Sequence, residues 1–227
     1  SAICYQCAGE YPVEELNFCN YIGELFCVVC FARKGEIHTS DLPWEILDAW
    51  NFKKFRISEM ALSEISEIET LPLLVINLKE RQFLENQQLF QIMLLKRDIM
   101  NTIPDITCSK GVYERIIGDY NYLLNRKFVY SLKDLRDTRA GTFKKVLRQI
   151  KYQLRDHFKM CKTCPKNGIT CGVCKDGQNK IFCYDYHRSL ECPECLIRFH
   201  RSCVRKQPKP EVCFICKATP SKFKILL

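Results

Sequence analysis

The sequence predicts an α+β chain in which two cysteine-rich lobes, residues 1–40 and 159–227, flank a helical middle, residues 41–158. Three observations predict it. Sixteen of the 227 residues are cysteine, far above ordinary usage. Five of them fall within residues 1–40, ten within residues 161–216, and only Cys108 lies between. The stretch between the lobes carries apolar residues at three- and four-residue steps, the period of an amphipathic helix.

The first lobe is built on two C-x2-C pairs separated by nineteen residues, Cys4/Cys7 and Cys27/Cys30. A two-residue gap lets both sulfurs reach one ion from a tight turn, and two such turns flanking a short hairpin complete a tetrahedral zinc site. Further C-x2-C pairs stand at Cys161/Cys164, Cys171/Cys174, Cys192/Cys195 and Cys213/Cys216. Six pairs of this spacing fit metal ligation and not disulfides, and they point to a reducing compartment: cytosol, nucleus or a cytosolic membrane face. The opening "SAICYQC" shows no signal peptide and reads as the start of an excised fragment. Cys19, with no second cysteine near it, is expected to be a small buried apolar residue. His38 could ligate, but a four-cysteine set needs no further ligand.

In the middle, "SEMALSEISEIE" and "RQFLENQQLFQIMLLKRDIMNTI" read as helices, the second apolar on most sides around Phe90 to Leu95 and therefore expected to be buried. "SLKDLRDTRAG" starts at Ser131 as an N-cap and stops at Gly141. "TFKKVLRQIKYQLRDHFKM" then places Phe143, Val146, Leu147, Ile150, Leu154 and Phe158 on one face. Lys144, Lys145, Arg148, Lys151 and Arg155 fall mainly on the others. The basic side reads as a solvated surface, or as a docking face for an acidic partner or membrane. Cys108 has no nucleophile signature around it and is expected to be buried. His157 is expected to be a surface residue at a helix end.

The second lobe offers six ligand pairs: Cys161/Cys164, Cys171/Cys174, Cys183/His187, Cys192/Cys195, His200/Cys203 and Cys213/Cys216. Twelve ligands make three four-coordinate sites, for four structural zinc ions in the chain. In "CPECLIRFHRSC" only four residues separate Cys195 from His200, which suits a short strand, so neighbouring pairs go to different ions. The expected sets are Cys171, Cys174, His200 and Cys203; Cys192, Cys195, Cys213 and Cys216; and Cys161, Cys164, Cys183 and His187. Sites filled by four protein ligands are structural, since a catalytic zinc keeps one position for water. The sequence also lacks an H-E-x-x-H, a deaminase H-x-E with its later P-C-x-x-C, and a glycine-rich phosphate loop. No catalytic residue is assigned. No apolar run approaches the length needed to span a bilayer.

The formal net charge of +9 overstates the basicity. Three zinc ions holding ten thiolates lower it by four, and an N-terminal four-cysteine site by two, leaving about +3. With no aromatic-basic repeat either, nucleic acid is not the expected partner.

The chain resembles the Rubicon homology domain, the cysteine-rich C-terminal module of the Rubicon, Pacer and Plekhm proteins. The resemblance is carried by "CYQC", "FCNYIGELFCVVC", "PWEILDAWNFKKF" and "VYSLKDLRDTRAG", then by "CKTC", "GITCGVC", "CPEC", "FHRSC" and "CFIC", in order over nearly the whole length. It implies a non-enzymatic effector module that binds the GTP-loaded Rab GTPase of late endosomes. It further implies a cytoplasmic location, peripheral on late endosomes and lysosomes, and a role in autophagy and endosome–lysosome traffic. Within that likeness the first lobe looks like half of a FYVE finger and the last like an interleaved PHD or RING lobe. Two other readings compete with the effector. A phosphoinositide-binding finger would need a basic cluster where "EELNF" precedes Cys19, so only weak membrane contact is expected of it. A RING-like ubiquitin ligase or PHD-like reader shares the C-x2-C-x4-H-x2-C spacing, but fold analogy alone does not supply function.

Overall fold

The structure, a computed structural model, describes residues 1–32, 35–76, 86–125, 129–209 and 212–217. Its strands are short and pair only in twos, giving five two-stranded antiparallel sheets among the described residues. By contacts the chain divides into two compact units, one of residues 1–92 and 122–144, the other of residues 93–121 and 145–227. The helical middle is thus shared between the units.

In the first unit the hairpin Leu16–Cys19/Glu24–Cys27 turns at Gly23, whose φ of 81° is open to glycine at no steric cost. It delivers Cys27 to the start of the one-turn helix Val28–Phe31. Cys19 ends the first strand and is fully buried, as its isolation implies. Its sulfur accepts from the backbone N–H of Ser58 at 3.2 Å and from the Ser58 hydroxyl at 3.4 Å. The Ser58 oxygen in turn caps the helix Glu59–Ile68 by accepting from the Ala61 N–H. His38 lies in the strand His38–Ser40, opposite Ile57, and takes no part in a ligand group.

The helix Leu132–Ala140 starts and stops where its sequence says. Ser131 and Asp134 form a reciprocal capping box, and Gly141 closes the C-terminus in the left-handed conformation with φ 78°. From this helix Arg136 donates through Nε to the Asp41 carboxylate at 2.8 Å and through Nη2 to the Ser40 hydroxyl at 3.0 Å. It also pairs with Glu69. Lys54 meets the other Asp41 oxygen at 3.3 Å.

The helix Gln87–Thr102 departs from expectation. Its first residues in the sequence reading, 81–85, lie outside the described residues. Within it the buried residues are Leu89, Ile92, Lys96, Asp98, Ile99 and Thr102, spaced mainly at three- and four-residue steps, whereas Phe90 is 43% exposed. The apolar surplus around Phe90 to Leu95 therefore does not bury the helix on all sides. The buried set includes a lysine and an aspartate, and Met93 to Leu95 are half-buried.

In the second unit the helix Thr142–Met160 buries Leu147, Ile150, Leu154 and Phe158 from the face read in the sequence. Phe158 meets Phe182 edge-on at 4.7 Å and Tyr184 at 5.4 Å. Lys151 pairs with Asp98, which also accepts from the Tyr186 hydroxyl. Beyond this, a small core of Ile181, Phe199 and Val204 packs directly against Cys171, Cys192 and Cys213. Apolar side chains there are few, and the cysteines are part of the core itself. Among the described residues no helix is long and apolar enough to cross a membrane.

Candidate metal centres

Four groups of thiols and imidazoles converge among the described residues, and the ligand atoms of each group lie within 4.8 Å of one another. They are Cys4, Cys7, Cys27 and Cys30; Cys108, His157, Cys161 and Cys164; Cys171, Cys174, His200 and Cys203; and Cys192, Cys195, Cys213 and Cys216.

A shared backbone device serves three of these groups. In Cys4–Ala8, Cys171–Lys175, Cys192–Leu196 and Cys213–Lys217, the N–H of the residue after the second cysteine donates to the carbonyl of the first, at 2.9, 3.0, 2.9 and 3.0 Å. That fifth residue is left-handed each time: Ala8, Lys175, Leu196 and Lys217 have φ of 56°, 53°, 58° and 62°. A non-glycine residue at positive φ is uncommon and costs free energy. Four repeats of it at one position mark a common turn that sets two thiols side by side. In Cys171–Lys175 the turn also needs glycine, since a Cβ on Gly172 would stand 2.6 Å from the Phe199 ring.

The spacing of the ligand atoms fits zinc. Zn–S bonds near 2.3 Å and Zn–N bonds near 2.0–2.1 Å in a tetrahedron put two sulfurs about 3.8 Å apart and sulfur and nitrogen about 3.5 Å apart. The measured S···S distances are 4.0 Å for Cys7/Cys27, 3.8 Å for Cys192/Cys216 and 3.7 Å for Cys195/Cys213. The S···N distances are 3.3 and 3.6 Å from His157 Nε2 to Cys108 and Cys164. From His200 Nδ1 to Cys174 and Cys203 they are 3.5 and 3.7 Å. The sulfurs thus stand at nearly twice the length of a disulfide bond. Each group can hold one ion with four protein ligands.

One thiol in each group is held low, while Cys30, Cys108, Cys195 and Cys203 beside them are pushed up. Burial pushes the Cys4 thiol up, but N–H groups of Cys7, Cys27 and Gln6 outweigh it and hold the pKa at about 6. Backbone N–H groups of Cys164 and Thr163 bring Cys161 to about 7. At Cys213 burial is again outweighed, by the N–H groups of Cys216 and Ile215, giving about 7. N–H donors aimed at sulfur favour the thiolate, the form that binds metal.

The last two groups interleave because the hairpin Ser189–Glu191/Arg198–His200 separates their ligands. A strand rises about 3.3 Å per residue, so three strand residues carry the chain about 10 Å, too far for Cys195 and His200 to share one ion. Cross-links pin the hairpin: Gly172 N–H to the Arg198 carbonyl at 3.1 Å, and Cys192 N–H to the Ile197 carbonyl at 3.0 Å. The His200 N–H reaches Cys171 Sγ at 3.3 Å.

One grouping differs from the sequence reading. Cys161 and Cys164 converge with Cys108 and His157, not with Cys183 and His187. His157 occupies the last turn of the helix Thr142–Met160, and the Cys161 N–H donates to its carbonyl at 2.8 Å. That contact brings imidazole and thiol to one point. Cys183 instead accepts from Arg198 Nη1 at 3.4 Å, and burial raises its pKa. His187 is exposed, its ring 4.0 Å from that of Tyr186. Cys108 is neither an isolated thiol nor fully buried, and His157 is more than a surface residue. The spacing H-x3-C-x2-C over residues 157–164 was a signal for the histidine, one helical turn before the first cysteine. Cys108, 49 residues from His157, had no local signal.

Comparison with known proteins extends the picture beyond the metal groups. The model of the Rubicon Homology Domain matches residues 17–221. The mouse Run domain Beclin-1-interacting and cysteine-rich domain-containing protein is 24% identical over 88% of this chain and 22% of its own length. The fruit fly Differentially expressed in FDCP 8 homolog is 25% identical over 90% of this chain and 42% of its own length. The human Protein associated with UVRAG as autophagy enhancer is 23% identical over 97% of this chain and 33% of its own length. The chain therefore spans less than half the length of these relatives.

Proposed function

The chain belongs to the Rubicon homology domain family, and from that premise we propose that it is a non-enzymatic, zinc-stabilised adaptor module that binds the GTP-loaded form of a late-endosomal Rab GTPase. The observation that carries the reading is the family match over residues 17–221. Two relatives bear names that tie them to Beclin-1 and to UVRAG and autophagy, which agrees with a place in autophagy and endosome–lysosome traffic. The module would act in the cytoplasm, on the surface of late endosomes and lysosomes.

In this reading the four groups hold structural zinc. Cys4, Cys7, Cys27 and Cys30 hold the first ion, and Cys108, His157, Cys161 and Cys164 the second. Cys171, Cys174, His200 and Cys203 hold the third, and Cys192, Cys195, Cys213 and Cys216 the fourth. Each ion supplies folding free energy that a core as small as Ile181, Phe199 and Val204 cannot. Four protein ligands per ion leave no coordination position for a reacting water.

The surface we assign to the GTPase is a groove of about 520 Å³ lined chiefly by Ile116, Ile117, Tyr120, Val146 and Ile150, with Lys145 and Asp119 among its polar residues. GTP orders the switch segments of a GTPase through contacts to the γ-phosphate, and hydrolysis releases them. An apolar surface that fits only the ordered form senses the nucleotide without doing chemistry. The interleaved C-terminal lobe also keeps a RING-like ligase as a second reading. A pull-down against a panel of Rab GTPases in GTP-like and GDP states, run beside discharge of a ubiquitin-charged conjugating enzyme, decides between them. Retention of one Rab in its GTP-like state alone is the expected result. Discharge without Rab binding would transfer the reading to the ligase.

A further inference from the structure

The interleaved lobe carries a feature that its metal groups do not use. A cavity of about 290 Å³ is lined by Asn179, Arg188, His200, Arg201, Ser202 and Arg205. Three of these side chains carry a fixed positive charge and none carries a carboxylate. The backbone holds two of the arginines together, because the Arg201 N–H donates to the Arg188 carbonyl at 2.8 Å.

Two donors in this wall are orphaned. His200 turns Nδ1 toward Cys174 and Cys203, at 3.5 and 3.7 Å, which leaves the ring proton on Nε2. Nε2 is buried and meets no hydrogen-bond partner. The Nε of Arg201, on the next residue, is buried and unpartnered in the same way. An unsatisfied buried donor costs about 1–3 kcal/mol, and native proteins retain few. Both residues line one cavity, so a small turn of either side chain presents its donor to a ligand made of acceptors.

We propose that this cavity binds a phosphomonoester dianion, carried on a lipid headgroup or on a small free molecule. Guanidinium groups present planar forks of N–H donors that match phosphate oxygens, and Arg188 and Arg205 would close over the anion from the exposed side. The Ser202 hydroxyl and the Asn179 amide can add donors. The volume admits a phosphate with a small substituent, and no aromatic side chain lines it on which a nucleotide base could stack. The site does not depend on the GTPase reading.

The test uses the whole zinc-loaded chain. Inorganic phosphate and a soluble inositol monophosphate are titrated in while the side-chain N–H resonances of His200 and Arg201 are followed. Vesicles of phosphatidylcholine, with and without phosphatidylinositol monophosphate, form the third arm. Saturable shifts at both residues are expected, weakened at least tenfold by Arg188→Gln with Arg205→Gln. The exposed pair Lys159→Gln with Lys209→Gln removes the same charge elsewhere and should leave them unchanged. Arg201→Lys keeps the charge but removes Nε and should also weaken binding, with zinc content unaltered. Tighter binding to phosphate-bearing vesicles than to the soluble headgroup assigns the lipid, and equal affinity assigns the free anion. The proposal is overturned if no probe saturates, if both double variants weaken binding equally, or if a phosphoserine peptide binds more tightly than every probe.

Discussion

His157 Nε2 stands 3.3 Å from Cys108 Sγ across 49 residues of sequence. This contact joins the end of the helix Thr142–Met160 to the segment that follows Asp105, and it distinguishes the second metal group from the one read in the sequence. Cys108→Ala or His157→Ala should therefore lower the zinc content from four ions to three, whereas Cys183→Ala should leave it at four. Binding free energy at a structural zinc is on the order of 10 kcal/mol and acts as folding free energy. The two ligand variants should accordingly become sensitive to protease near residues 105–167. Elemental analysis beside limited proteolysis checks this. Four ions in His157→Ala would remove it from the ligand set.

How much of this was legible in the sequence follows from the reach of each interaction. The N-cap at Ser131, the stop at Gly141 and the amphipathic face of Thr142–Met160 were readable, because each is decided within a helical turn or two. The interleaving of Cys171, Cys174, His200 and Cys203 with Cys192, Cys195, Cys213 and Cys216 was readable because the strand between Cys195 and His200 is short. Cys108 was not readable: its partners lie in a distant helix, and only tertiary packing brings them near. The burial of Gln87–Thr102 was overestimated for the complementary reason. Apolar residues such as Phe90 can stay exposed, and periodicity does not tell which apolar face finds a partner.

The helix Leu132–Ala140 offers a stability test independent of metal. Ser131→Ala removes the side-chain acceptor for the Asp134 N–H, at 3.0 Å, and should cost about 1 kcal/mol. Gly141→Ala places a Cβ on a residue with φ 78° and should cost about 1–2 kcal/mol. With the two changes at opposite ends of the helix, their costs should add to within about 0.5 kcal/mol. Thermal melts at fixed zinc should show Ser131→Ala lowering Tm by about 2–4 °C and Gly141→Ala by about 2–8 °C. A neutral Ser131→Ala would mean that water replaces the cap.

The Arg136–Asp41 pair makes stability pH-dependent in a definite direction. Burial alone would raise the Asp41 carboxyl, but hydrogen bonds and charge from Arg136, with help from Lys54, hold it below its ordinary value. A carboxyl depressed in the folded state stabilises fully above the unfolded pKa of about 3.9, and that stabilisation fades as pH falls through the folded value. Arg136→Met leaves a buried carboxylate with only Lys54 nearby and should cost about 3 kcal/mol at neutral pH. The deficit relative to the natural chain should shrink as pH drops below about 4, because Asp41 then becomes neutral in both proteins. Denaturant midpoints measured across the acid limb, at matched zinc content, give the difference directly. A deficit that grows with acid would show that Asp41 does not carry the effect.

The partner interface should depend on apolar burial more than on charge. With the zinc-bound thiolates counted, the formal +9 falls to about +3, so long-range attraction is modest. The assigned groove is lined chiefly by Ile116, Ile117, Tyr120, Val146 and Ile150. Raising the salt from about 0.1 M to 0.5 M shortens the screening length well below 10 Å and should weaken GTPase binding by less than about threefold. Val146→Asp introduces a charge into the groove and should weaken it at least tenfold, which corresponds to about 1.4 kcal/mol. Chelation acts by a different route. It should abolish binding at the same chelator concentration at which circular dichroism shows the lobes unfolding, since in the proposed reading the ions serve the fold and not the contact. Titrations by calorimetry at both salt concentrations, with Val146→Asp and with Lys159→Gln as a charge control, separate these contributions. A steep loss of affinity with salt, or full binding by Val146→Asp, would move the interface off the groove and onto the basic face of Lys144, Arg148 and Arg155.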